Sequence, residues 1–131
     1  MTSIKCPCGT GKMYIDCCAK AHQNRINAKT AEELMRSRYS AFVLVKGDYL
    51  MESHHSATRQ LERKQELIDW AKSVKWIKLG ILNTSEGAEN DTEGMVEFKA
   101  HFKEGNKKMV LHEKSKFVRE FGQWVYFGIE N

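Results

Sequence analysis

All four cysteines of this 131-residue chain, Cys6, Cys8, Cys17 and Cys18, fall within 13 residues near the N-terminus, in the spacing C-x-C-x8-C-C. No other feature restricts local folding so strongly, because four sulfurs on so short a segment must be joined, buried or gathered on an ion. In a reducing compartment thiols stay free, and zinc takes thiolates in a closed tetrahedron, so metal ligation is the favoured reading. A vicinal Cys17–Cys18 disulfide, or a pair of buried thiols, is the competing one. Pro7, Gly9 and Gly11 let the backbone turn tightly between the sulfurs, and Lys5, Lys12 and Lys20 offset thiolate charge.

Charge follows the same boundary. Residues 1–29 carry five basic side chains against Asp16 alone, whereas the remainder is neutral. Four thiolates around a Zn²⁺ bring a net charge of about −2, so part of the basic excess is counter-charge to the segment's own ion. Nucleic-acid binding is thereby demoted to a weak contribution, since Tyr14 is the single aromatic residue among these cations. The two boundaries coincide near residue 28 and divide the chain into a zinc-binding module over 1–24 and one larger domain over 28–131. No apolar run approaches the roughly 18 residues of a membrane span, and residues 1–25 lack the core of a secretory signal, so the expected location is the cytoplasm. A hydrophobic share of 41% with a single proline excludes disordered and collagen-like classes for the larger part.

Hydropathy in that larger part changes period once. Thr30 with Glu33 forms a capping box, after which Ala31, Leu34, Met35, Arg38, Ala41, Phe42 and Val45 share one helical face, with Gly47 as the expected stop. Short helices are predicted over Asp48 to His54 and Leu61 to Val74. From Trp76 the period is two: strands are predicted at Trp76 to Ile81, Val96 to Lys103, Lys107 to Glu120 and Gln123 to Ile129, with Asn83 to Gly94 as a long acidic connection and turns at Glu104-Gly105-Asn106 and Phe121-Gly122. The fold class is α+β, three helices covering one face of a curved four-stranded antiparallel sheet.

Polar residues on apolar faces are the candidate functional residues of this domain. Arg38 sits in the middle of the first helix's stripe, and the inward alternation Met109, Leu111, Glu113, Ser115, Phe117 carries a carboxylate and a hydroxyl into the core. A buried Arg38–Glu113 ion pair is the first reading. The second is a ligand pocket between helix and sheet, with Tyr39, His55, Ser115 and Trp124 beside that pair. His54, His101 and His112 are read as peripheral.

The stretch CPCGTGKMYIDCC resembles the SEC-C motif named after the C-terminus of the SecA translocation ATPase. The resemblance implies a structural zinc ion held by Cys6, Cys8, Cys17 and Cys18, with His22 as the competitor for the fourth place. ELMRSRYSAFVLVKGDYL and HEKSKFVREFGQWVYF, with the spacing between them, resemble the YchJ-like family of small bacterial proteins. That resemblance implies a cone-shaped domain of the nuclear transport factor 2 (NTF2) type. The family's Thr-Trp-His-Pro is replaced here by Ser53-His54-His55-Ser56. The SecA motif binds an export chaperone, which implies a non-enzymatic interaction module docking on a protein or ribosomal partner through the zinc lobe. The alternative is a small-molecule binder or enzyme using the cone; four thiolates leave no open metal position for catalysis, so enzymatic activity is the weaker expectation. Oligomeric state is not legible in the sequence.

Overall fold

The computed structural model describes residues 4–130, so Met1 to Ser3 and Asn131, at the outer ends of the two expected domains, lie outside the described residues. Four α-helices precede four strands: α1 (Cys18–Gln23), α2 (Ala31–Leu44), α3 (Gly47–Glu52), α4 (Lys64–Ser73), β1 (Lys75–Glu86), β2 (Glu93–Glu104), β3 (Lys107–Glu120) and β4 (Gln123–Ile129). The sequence predicts three helices; α1, only six residues long and inside the cysteine segment, is the addition. Its first residue is Cys18, so a run too short for hydrophobic periodicity to register is wound up beside the sulfurs.

α2 starts at the expected cap, with one half of the capping box shifted by a residue. Thr30 Oγ1 accepts from the Glu33 amide at 3.0 Å, while the Glu33 carboxylate accepts from the amide of Lys29, one residue before the cap, at 2.8 Å. Its end differs from expectation. Val45, not Gly47, takes the left-handed conformation that closes the helix, with φ 57° and ψ 55°. Gly47 instead opens α3, and its lack of a side chain makes room for α4: a Cβ there would lie 2.4 Å from Ile68 Cδ1.

The strands form one antiparallel meander in the order β1-β2-β3-β4. The connection expected over Asn83 to Gly94 is much shorter, because β1 runs on to Glu86, pairing Thr84 with Val96 and Ser85 with Met95. Register slips at Trp76/Lys78, Ile81/Asn83 and Lys116/Phe117 insert the bulges that bend such long strands. On the concave face Val96, Phe98, Ala100 and Phe117 meet Leu34, Met35, Tyr39 and Ala41 of α2 and Leu50 of α3. Trp124 is fully buried in the same core and donates its indole N–H to the Lys29 carbonyl at 3.0 Å. No helix among the described residues is long and apolar enough to cross a membrane.

Candidate functional site

The cysteine lobe is built on a small hairpin. Lys5 bridges Met13, the Cys6 amide donates to Lys12 O at 2.8 Å, and the Tyr14 amide donates to Ile4 O at 2.8 Å. The turn between these strands needs two left-handed positions, filled by Gly9 at φ 90° and Gly11 at φ 86°. A 3₁₀ turn over Tyr14–Asp16 then delivers Cys17 and Cys18 to the start of α1. The four sulfurs converge, all within 4.8 Å of one another. Bonds of about 2.3 Å in a tetrahedron put sulfurs roughly 3.8 Å apart, so the donor set fits a zinc ion once the sulfurs draw in by at most about 1 Å. All four are free thiols, and the vicinal disulfide is not formed. Donation from the Cys18 thiol, followed by that from Cys8, holds Cys6 far below the ordinary thiol value, while Cys18 as donor is pushed up.

Hydroxyls and the body complete the surroundings. Thr10 Oγ1 lies 3.2 Å from Cys17 Sγ, and Ser40 Oγ of α2 lies 3.4 Å from Cys6 Sγ. Arg36, also on α2, donates to the Cys8 carbonyl at 2.7 Å. His22 stands outside the sulfur group. Its Nε2 faces the Ser37 carbonyl at 2.8 Å and must donate there, so Nδ1 accepts from the Tyr14 hydroxyl at 2.6 Å. Burial lowers the affinity of this imidazole for a second proton, as a neutral bridge between lobe and body requires.

A second concavity of about 580 Å³ opens between α2, α4 and the inner face of β2 and β3. Arg38 and Glu113, which the inward patterning singles out, reach it together with Tyr39; His55, Ser115 and Trp124 do not line it. His55 stands beside Glu120, with 3.7 Å between Nε2 and Oε2, and Ser115 is fully buried in the sheet. The predicted Arg38–Glu113 ion pair is absent. Arg38 is 6% exposed, and its Nη1 donates to the Leu50 carbonyl at 2.9 Å and to Ser53 Oγ at 2.7 Å. These acceptors lie at the end of α3, and the guanidinium is bound to them rather than closed on the Glu113 carboxylate, whose charge still acts on it. The Tyr126 ring centroid lies 4.7 Å from the Arg38 guanidinium carbon.

Burial is also the main influence on the ionisable groups around this space. It lowers Arg38 to about 10, which still leaves it charged at neutral pH, and raises the Glu113 carboxyl. It lowers His54 to about 4, with the Arg38 charge adding to the effect. The sequence reading missed His54 and Tyr126. Both are set by the strap after α3, where Tyr126 N–H donates to Ser53 O and His55 N–H donates to Tyr126 O, each at 2.8 Å. Tyr126 shares an alternation with Trp124, a signal that could have marked it; His54 carries none.

Comparison with known proteins places this geometry in a family. Residues 30–128 match the model of the YchJ middle NTF2-like domain. A UPF0225 protein of Vibrio parahaemolyticus is 41% identical over 123 residues, spanning 92% of this chain and 71% of the relative, and one of Streptomyces coelicolor is 40% identical over 96% and 94%. Among solved structures, a SEC-C motif containing protein from Rhodopseudomonas palustris superposes with a TM-score of 0.86 at 34% identity, covering 97% of this chain and 98% of that one. Another from Psychrobacter arcticus gives 0.77 at 32% identity, covering 95% and 80%.

Proposed function

The chain belongs to the YchJ-like UPF0225 family, a SEC-C segment joined to an NTF2-like domain, and from that premise we propose that it is a structural zinc protein working as a non-enzymatic interaction module. The observation that carries the reading is the convergence of the Cys6, Cys8, Cys17 and Cys18 sulfurs within 4.8 Å of one another. Bound there, zinc supplies a rigid cross-link and no chemistry, since four thiolates occupy every position of its tetrahedron. We place the module at residues 1–24 and the NTF2-like domain at 28–131, in the reducing cytoplasm. Arg36, Ser37 and Ser40 of α2 support the lobe from below, while Lys5, Lys12, Lys20, Ile4 and Ile15 face outward. That mixed basic and apolar surface suits an acidic patch on a protein or ribosomal partner.

Two measurements test this. Elemental analysis of protein purified without chelator should give one zinc per chain, and well under one equivalent with all four thiols titratable overturns the metal assignment. A photoreactive residue at position 15 should crosslink a discrete partner from the zinc-loaded chain and lose it in Cys17→Ser. Equal yield from both proteins would end the docking assignment while leaving the zinc count untouched.

A further inference from the structure

The buried guanidinium of Arg38 makes no salt bridge among the described residues, and the space it faces, shared with Glu113, is outside the zinc reading altogether. Only Nη1 is engaged, by Leu50 O and Ser53 Oγ, and no carboxylate among the described residues approaches within salt-bridge distance of any of its nitrogens. Nε and Nη2 make no hydrogen bond to the described residues, yet neither is among the sealed, unpartnered atoms of the core. They are therefore reached from the cavity. This Nε/Nη2 edge is the side of a guanidinium that takes both oxygens of a carboxylate at once. Keeping a charge at 6% exposure with no salt-bridged carboxylate among the described residues is costly, and an anion entering the cavity would relieve that cost.

The rest of the cavity describes what that anion is attached to. Phe42, Trp70 and Trp76 line it as one aromatic cluster, with the two indole centroids 5.4 Å apart and edge-to-face, and Phe98 and Leu111 add apolar surface from β2 and β3. A volume of about 580 Å³ is within the range of small-molecule sites. Arg63 and Glu66 are paired with each other at 2.7 Å and are exposed, and His54 is neutral at physiological pH. Inside, Arg38 and Glu113 remain. Burial raises the Glu113 carboxyl, and the Arg38 charge opposes that rise, so the two groups act on each other across the cavity without forming an ion pair.

We propose that this cavity binds a small organic monocarboxylate with a flat aromatic body, its carboxylate held by the Nε/Nη2 edge of Arg38 and its ring against Phe42, Trp70 and Trp76. Zinc in the lobe is not required for this site. The competing explanation is internal: Glu113 could rotate to become the counter-ion, leaving a packed structural pair and no ligand.

Calorimetric titration of the full chain at pH 7 with 2-naphthoate and with 2-naphthamide separates the two. The acid is expected to bind at least tenfold more tightly than the amide, with the indole N–H resonances of Trp70 and Trp76 shifting and that of Trp124 unmoved. Arg38→Gln should erase the preference for the acid. If that variant does not fold, Glu113→Gln serves: it keeps or strengthens the preference if the ligand is the anion Arg38 awaits. Equal affinity for acid and amide, no binding of either, or loss of the preference in Glu113→Gln overturns the proposal.

Discussion

Arg38 is held by a carbonyl, a hydroxyl and an aromatic ring, so its removal deletes a costly buried charge along with its contacts. In Arg38→Met the Leu50 carbonyl loses its donor, whereas Ser53 Oγ keeps its bond to Tyr49 O at 2.6 Å. The expected loss of stability is about 1–2 kcal/mol, below the roughly 3–5 kcal/mol of a broken buried ion pair, and urea unfolding distinguishes them. Neighbouring groups titrate with opposite signs. His54, lowered to about 4, binds its proton more readily when unfolded, so its share of stability falls as pH drops from 6.5 towards 4. Glu113, raised, binds its proton more readily when folded, so its share is present below pH 4.5 and is lost as pH rises through the folded value. His54→Gln should therefore flatten the acid limb of a stability profile, and Glu113→Gln should remove a decline on going from pH 4.5 upward; unchanged profiles would show both groups to be solvated. Arg38 and Glu113 were legible as inward polar residues because helix and strand periods fix which face a side chain takes. Their separation was not, since it depends on where α2 sits over the sheet and on which acceptors α3 offers.

At the junction of α2 and α3 two adjacent tasks are divided between residues in an order that composition alone would reverse. Val45 bears the left-handed turn, a conformation that costs an L-residue with a branched β-carbon, while Gly47 stands where space is short. Val45→Gly should raise stability by up to about 1 kcal/mol by relieving that strain, and Gly47→Ala should lower it by about 1–3 kcal/mol by pressing on Ile68. Thermal unfolding of the two variants should thus move in opposite directions; a stabilising Gly47→Ala would mean that Ile68 has an unused rotamer. Local pattern finds the helix and cannot assign the turn, because the demand for glycine at residue 47 arises from α4, which is distant in sequence. The same limit appears in β1. Asn83, Thr84 and Ser85 are exposed, so no alternation marks them, and the strand continues there because its backbone pairs with β2. Elements with one buried face were readable throughout; the extension of an edge strand and a six-residue helix were not.

Across the whole molecule, α2 serves two structures at once. Its inner stripe packs on the sheet, and Arg36, Ser37 and Ser40 hold the cysteine lobe through Cys8 O, His22 Nε2 and Cys6 Sγ. The compositional boundary near residue 28 was visible in the chain, but this fastening was not, because serines in a helix look alike whether they face water or sulfur. The coupling sets what metal removal does. The lobe's own apolar contacts are confined to its cysteines and Tyr14, so under the proposed zinc assignment metal binding would supply its folding energy, whereas the body keeps a core running from α2 to Trp124. Chelation should abolish amide protection over residues 5–23 and leave that of β2 and β3 at the level of the loaded protein. α2 should keep its helix, since Leu34, Met35 and Ala41 remain buried against the sheet, but Ala21 leaves the main core and Ser37 loses its imidazole partner. The midpoint of the body's single thermal transition should accordingly fall by a few degrees, with no loss of cooperativity, as expected for about 1 kcal/mol in a domain of this size. Hydrogen exchange with and without chelator measures both halves of the expectation. Exchange of β2 and β3 amides in step with the lobe would mean that zinc folds the whole chain, and that α2 cannot hold its place on the sheet without the sulfurs behind it.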